Sequence, residues 1–272
     1  MKLKIVVLND DLAPKGTLHL AQHGVSYYIE LQNGSTFERI LFDTGSSYLP
    51  IKHNAKISNI DLKNIESIVI SHCHYDHTGG LYDILNEFDK NVFAHPSIFR
   101  ENFYLPYRYI GVPKDHKADL MNRKNFIFIR EHMKISENIT MTGEIPRENR
   151  FEIPENMFFL ENGQILPDMM KDDNSIYIDL GDSIFLISGC SHAGIVNIKN
   201  YVEKISGKEV KYILGGLHLL NAGKERINFT IENLEGITMF LGHCTGDLAL
   251  EKLKNKFGDK VKRIYSGFEV EL

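Results

Sequence analysis

Three histidines and an aspartate crowd the segment Ser71-His72-Cys73-His74-Tyr75-Asp76-His77-Thr78-Gly79-Gly80. Imidazole and carboxylate donors at this density suit zinc, and also iron or manganese. The apolar run Ile68-Val69-Ile70 ahead of them reads as a strand, and Gly79-Gly80 as the opening of a helix. Alternation at a strand end puts His72 and His74 on one side, able to grip one ion. Asp76 and His77, on the turn beyond, can face a second. A lone histidine is most often a core or surface residue, but three histidines and an aspartate after one strand point to a metal.

Two later segments repeat the order strand, tight turn, histidine. Ile184-Phe185-Leu186-Ile187-Ser188-Gly189-Cys190-Ser191-His192 is one, and Thr238-Met239-Phe240-Leu241-Gly242-His243 is the other. Tyr212-Ile213-Leu214-Gly215-Gly216-Leu217-His218 is a third case, although Leu219-Leu220 behind it also suits a core or pocket-wall histidine. Each cysteine adjoins one of these histidines: Cys73 lies beside His72, Cys190 two residues before His192, and Cys244 after His243. They read either as small buried hydrophobes or as thiolate ligands. Three is an odd number, which argues against a disulfide framework and for a reducing compartment.

The elements that must position these ends are short and punctuated by turns. Strands are expected at Leu3–Leu8, Val25–Leu31, Glu38–Phe42, Ser67–Ile70, Val92–Ala94, Ile139–Thr142, Ser175–Leu180, Ser183–Ile187, Lys211–Leu214 and Thr238–Leu241. Asn33-Gly34 and Gly181-Asp182 sit where hairpin turns belong. Helical spacing follows Gly194 (Ile195, Ile198, Val202, Ile205) and Thr245 (Leu248, Leu250, Leu253, Phe257), and a shorter helix fits Gly80–Phe88. Hairpins first and strand–helix alternation later predict an α/β (α+β) mixed-sheet sandwich covered by helices. No linker-like tract or short-period repeat interrupts the chain. Residues 1–272 are therefore expected as one domain, with an insertion or lid near 98–132.

His-x-His-x-Asp-His after a strand resembles the signature of the metallo-β-lactamase superfamily, and Leu41-Phe42-Asp43-Thr44-Gly45 resembles its first motif. The resemblance implies the metallo-β-lactamase fold, a four-layer αββα sandwich with metals at the sheet edges between its halves. It also implies two divalent transition-metal ions, zinc first. His72, His74 and His192 would hold one ion, and Asp76, His77 and His243 the other. Asp43 would buttress the site, and hydroxide between the metals would attack the substrate. Asp76 and His218 are the candidates for catalytic roles. Two features depart from the superfamily pattern: Cys190 stands where a bridging Asp is common, and Glu144 where the usual third motif is missing. Ser188–Gly194, Gly215–Leu219 and Gly242–Gly246 are similar to one branch, the archaeal dihydropterin–ribofuranosylaminobenzene 5′-phosphate synthases. By that resemblance, such enzymes join a dihydropterin-methyl diphosphate to an aminobenzene ribosyl phosphate and release diphosphate.

Composition narrows the partners. With 43% hydrophobic and 25% charged residues and a net charge of −5, no global field draws the chain to nucleic acid or anionic lipid. The apolar run after Met1 and Lys2 stops at Asn9-Asp10, so it reads as a first strand and not as a signal peptide. No stretch has the length of a membrane span, and the cytoplasm is the expected location. Arg100 to Arg130 departs from the acidic balance, with seven Lys or Arg against three acids, and Tyr104, Tyr107, Tyr109, Phe126 and Phe128 interleaved. It reads as a solvated excursion, or as a lid in which Arg108, Lys114, Lys117 and Arg123 meet an anionic, aromatic substrate. The function expected is that of a metal-dependent hydrolase acting through metal-bound hydroxide on a small phosphate- or ester-bearing molecule. The alternatives are the pterin-methyl transfer just described, or a non-catalytic metal- or ligand-binding protein. No nucleic-acid or membrane partner is expected, and the oligomeric state is left open.

Overall fold

Alternating apolar positions build two mixed sheets, one in each of two compact units. The computed structural model describes residues 1–104, 107–154 and 156–272, so positions 105 and 106 of the 98–132 excursion lie outside the described residues. The first unit takes in Met1–Ile129, Asn156–Pro167 and Ile264–Leu272; the second takes in Arg130–Glu155 and Asp168–Arg263.

In the first unit seven strands lie in the order Glu269–Glu271, Lys2–Asn9, Ser26–Asn33, Thr36–Phe42, Ser67–Val69, Asn91–Ala94 and Phe126–Phe128. The first three pairings are antiparallel and the last three parallel. Gly34, at φ 61°, supplies the left-handed turn of the hairpin that ends on the pair Asn33 and Thr36. Val6, Leu8, Tyr28, Leu41, Ile68 and Val92 share one core with Ile51 and Ala55 of helix Tyr48–Ile57 and with Leu81 and Ile84 of helix Leu81–Glu87. The same unit holds a four-stranded antiparallel sheet of Gln164–Pro167, Met157–Glu161, Glu101–Tyr104 and Arg108–Tyr109.

The second unit runs Val261–Arg263, Thr238–Leu241, Val210–Gly215, Ile184–Ser188, Ser175–Asp179, Ile139–Met141 and Met133–Lys134. Here the first three pairings are parallel and the rest antiparallel. Helices Ile195–Ser206, Lys224–Asn233 and Asp247–Phe257 pack on it, with Ile198, Val202, Ile227 and Leu253 in one core with Leu186, Ile213 and Met239. Ser188, Gly215 and Leu241 stand in register at the carboxyl ends of three neighbouring parallel strands. The turns that carry His192, His218 and His243 therefore leave the sheet from one edge.

All ten expected strands form, with ends shifted by a residue or two. Helices Tyr48–Ile57, Lys114–Met121 and Lys224–Asn233 lack the apolar spacing that predicts the others. No helix among the described residues is long and apolar enough to cross a membrane.

Glu30 and Arg39 face each other across the hairpin, with Arg39 Nε 2.5 Å and Tyr28 Oη 2.8 Å from Glu30 Oε2. Partial burial raises the Glu30 pKa, but the hydrogen bonds from Arg39 and Tyr28 outweigh it and hold the group below the usual carboxylate range. Its contribution to stability is thus full above the unfolded-chain pKa and lost as pH falls through the lower folded one. Thermal melts from neutral pH into the acid range should show a steeper loss of Tm for the wild type than for Glu30→Gln. Superimposable acid limbs would show that the pair contributes nothing.

Candidate metal centre

Strands Thr36–Phe42 and Ser67–Val69 pair in parallel, so Asp43 and Ser71 emerge at the same edge. Asp43 has no solvent exposure and sits in the left-handed region at φ 59°. Its carboxylate accepts from Ser71 N and Ser71 Oγ, both at 2.7 Å, and pairs with His77 Nδ1 at 2.7 Å. A buried carboxylate is tolerated only with partners of this kind.

These bonds assign the imidazoles. Ser71 Oγ donates to Asp43, so at 2.8 Å it accepts from His72 Nδ1–H, and the lone pair of His72 falls on Nε2. His77 Nδ1 donates to Asp43 in the same way, which turns its Nε2 toward Asp76 Oδ2, 3.5 Å away. Burial disfavours the His77 cation, but Asp43 and Asp76 outweigh it and lift the pKa to about 9. His72 Nε2 lies 3.1 Å from His74 Nδ1, and His23 Nε2 lies 3.4 Å from Asp76 Oδ2. Two converging imidazole nitrogens beside a buried carboxylate–imidazole pair form a donor set that fits the divalent metal the resemblance implies.

The tetrad's turn is locked from below. Thr44 N donates to His77 O at 2.7 Å, Gly79 N to Gly45 O at 2.8 Å, and Gly80 N to Thr44 O at 3.1 Å. A Cβ on Gly79 or Gly80 would collide with the Ser46 or Thr44 carbonyl, so both glycines are required by close backbone approach. Arg108 donates to Tyr75 Oη at 3.0 Å, one residue from Asp76. Arg123 is committed to helix Leu81–Glu87, through Leu85 O at 3.1 Å and the Asn86 side chain. Lys114 lies 4.6 Å over the Tyr109 ring, and Lys117 pairs with Glu101 at 3.8 Å.

In the second unit Ser191, His218 and His243 all take left-handed backbone, at φ 58°, 51° and 47°. Such strain persists only where the surroundings over-determine it, and it collects at functional sites. Around His192 they do so with buried charge. Arg147 Nη1 donates to His192 O at 2.9 Å, and Asp173 Oδ2 accepts from Ala193 N at 2.7 Å. Glu152, 1% exposed, accepts from Val196 N at 2.9 Å and Asn197 N at 3.0 Å, capping helix Ile195–Ser206. The His192 and His218 rings are 4.2 Å apart between centroids. Burial pushes the Cys244 thiol up, but hydrogen bonds from Cys190 and His218 outweigh it and hold the thiol well below its ordinary range. Glu144 pairs with Arg130 at 2.8 Å, and none of the three cysteines is in a disulfide. Ser71, Arg147, Glu152 and Asp173 carry no motif that marks them in advance; of these only Ser71, next to His72, has a position that could have drawn attention.

The chain belongs to the metallo-β-lactamase superfamily, whose family model matches residues 21–193. Among its relatives, it is 34% identical over 279 residues to the 7,8-dihydropterin-6-methyl-4-(beta-D-ribofuranosyl)-aminobenzene-5′-phosphate synthase of Methanocaldococcus jannaschii, covering 97% of this chain and 95% of that one. It is 36% identical over 253 residues to an uncharacterized protein of the same organism, covering 92% and 93%. Among solved structures it is similar to a metal-dependent hydrolase of the beta-lactamase superfamily, with a TM-score of 0.85, 28% identity and 99% of both chains covered. The fold is accordingly the metallo-β-lactamase fold.

Asp43→Asn should keep the fold but weaken metal binding by about 10–100-fold, the usual cost of losing a carboxylate behind a ligating histidine. Competition against a chromophoric chelator measures it, and unchanged affinity would remove Asp43 from the site. Glu152→Ala leaves two helix-end N–H groups unpaired and should cost about 1–3 kcal/mol for each. Urea denaturation tests this, and a loss within about 0.5 kcal/mol would show that the cap is dispensable.

Proposed function

We propose that this chain is a metal-dependent enzyme acting on a small phosphate- or ester-bearing molecule, with two divalent transition-metal ions, zinc first, as cofactors. The observation that carries the reading is the buried His72, His74, Asp76 and His77 tetrad, with Ser71 fixing the tautomer of His72 and Asp43 orienting the ring of His77. By the superfamily's order of motifs we assign His72, His74 and His192 to one ion and Asp76, His77 and His243 to the other. Metal ions there would polarise a phosphoryl or acyl oxygen and lower the pKa of water from 15.7 to about 7. The chain's own residues do the positioning. Ser71 keeps Nε2 of His72 available, Asp43 orients His77, whose Nε2 proton a metal would displace, Arg147, Glu152 and Asp173 hold the turn that carries His192, and Arg108 offers a cation beside Tyr75.

Hydrolysis is the first reading. A second, transfer of a pterin-methyl group to an arylamine with release of diphosphate, is favoured by the 34% identity to the synthase over nearly the whole chain. Diphosphate release from a dihydropterin-methyl diphosphate, measured on metal-quantified protein with and without an arylamine ribosyl phosphate, separates the two. Release without the amine supports hydrolysis, and release only with it, together with a coupled product, supports transfer. Failure on these and on phosphodiesters, lactones and thioesters would leave a metal-binding protein without this chemistry.

Elemental analysis should return about two equivalents of metal. A single equivalent that persists after reconstitution would reduce the centre to one ion. Arg108→Ala should weaken binding of a phosphate-bearing substrate by about 1.5–3 kcal/mol while metal content stays unchanged. Unaltered binding would turn attention to neutral esters and lactones.

A further inference from the structure

Tyr75 stands between His74 and Asp76 in the chain, and other parts of the first unit hold it from outside the tetrad. Its backbone N–H opens helix Tyr75–Thr78, where no earlier turn of helix can accept the bond, and Ile110 O accepts it at 2.8 Å. Ile110 N in turn donates to Asn102 O at 2.9 Å, on strand Glu101–Tyr104. The phenol oxygen accepts from Arg108 Nη2 at 3.0 Å, and the guanidinium carbon lies 5.8 Å from the ring centre. The His23 ring stands 6.1 Å from the same phenol, tilted by 48°. Strand Arg108–Tyr109, the outer strand of the four-stranded sheet, and the residue after it are thus tied to the tetrad by side chain and by backbone.

The cations of the 98–132 excursion differ in how they are engaged. Lys117 pairs with Glu101, Arg130 with Glu144, Lys114 sits over the Tyr109 ring, and Arg123 is bonded to Leu85 O. Arg108 pairs with no acid among the described residues, and the phenol oxygen is the one hydrogen-bond acceptor it meets there. Its N–H donors lie in one plane, so a bond at Nη2 sets the direction of the rest. A long exposed side chain on an edge strand otherwise samples many rotamers. Ordering such a chain at the moment of binding weakens affinity by about three- to tenfold. Tyr75 supplies that order in advance.

On the reading of the substrate as phosphate-bearing, we propose that Tyr75 is a positioning residue: its hydroxyl fixes the Arg108 guanidinium as a clamp for a phosphoryl oxyanion of the substrate. Peptide bonds join Tyr75 directly to His74 and Asp76, so the clamp keeps a set relation to the tetrad. Two parallel N–H···O bonds to one phosphoryl group are a geometry that a guanidinium forms and an ammonium does not. The clamp therefore favours substrates that offer two oxygens of one phosphoryl group. Neutral esters and lactones gain nothing from it.

The test titrates phenylphosphonate, a phosphoryl anion on carbon with no ester bond to hydrolyse, into the metal-loaded full chain by calorimetry. Tyr75→Phe keeps the ring and removes the hydroxyl. It should bind the probe about three- to tenfold more weakly, with metal content unchanged. Arg108→Ala should lose about tenfold or more. The double variant should bind no more weakly than Arg108→Ala alone, because the hydroxyl acts only through the guanidinium. On any phosphate-bearing substrate that is turned over, Tyr75→Phe should raise KM by the same factor and hold kcat within about twofold, a split that general loosening of the tetrad would not give. Binding in this pattern without turnover would keep the clamp and set aside hydrolysis and transfer alike. Wild-type affinity in Tyr75→Phe, losses that multiply in the double variant, metal lost with the hydroxyl, or no binding by the wild type would each overturn the clamp, whether or not the chain is an enzyme.

Discussion

A carboxylate with no access to water must have its lone pairs met or give up its charge, and the first unit is arranged around that requirement at Asp43. Three bonds near 2.7 Å satisfy it, and each fixes a different part of the chain: the backbone at Ser71, the hydroxyl of Ser71, and the ring of His77. The order matters. Because the hydroxyl proton goes to Asp43, His72 must donate to Ser71 Oγ, and the nitrogen left with a lone pair is Nε2. A single buried charge therefore sets the tautomer of His72 and the orientation of His77. The left-handed backbone at Asp43 is the strain that goes with this arrangement, and parallel pairing of the two strands makes it reachable.

The second unit solves the same problem through the backbone. Arg147, Glu152 and Asp173 bond to peptide groups between His192 and Asn197 and leave the imidazole itself to other roles. One consequence concerns anions. The first N–H groups of a helix usually make a ready phosphate cradle, but at Ile195–Ser206 the Glu152 carboxylate already occupies them. A phosphate group would need a counter-charge other than this helix end, and Arg108, bonded to Tyr75 Oη, is one side-chain cation in the first unit.

How much of this is legible in the sequence follows from how local each cause is. The tetrad is legible because four potential ligands fall within six residues, and the strands beneath it because Val, Ile and Phe run without interruption between turns. Helix Ile195–Ser206 announces itself by spacing, whereas Tyr48–Ile57 carries Pro50 in its first turn and buries Asn54 in place of an apolar residue. Strands Glu101–Tyr104 and Met157–Glu161 hide because they pair across more than fifty residues and are only partly buried, so neither shows clean alternation. Glu152 hides for a different reason: it closely follows the polar run Arg147-Glu148-Asn149-Arg150, in a stretch that reads as solvated loop until the helix end it caps is known.

The relatives bear on where specificity resides. A synthase and a hydrolase both resemble this chain along nearly its whole length, so the shared fold does not choose between water and an amine as the attacking group. That choice rests on what keeps water from the reacting atoms and on what holds the second substrate. In the first unit, the elements suited to it are the four-stranded sheet and the segment leading to helix Lys114–Met121. There Tyr104, Leu160 and Ile165 stay exposed, Lys114 stacks on Tyr109, and Arg108 reaches Tyr75. Exposed rings and aliphatic side chains interleaved with cations are costly to leave in water and well matched to a planar, anionic ligand. On the function proposed above, the tetrad and its buttress would supply the reactivity, and this surface would be suited to recognising a particular substrate.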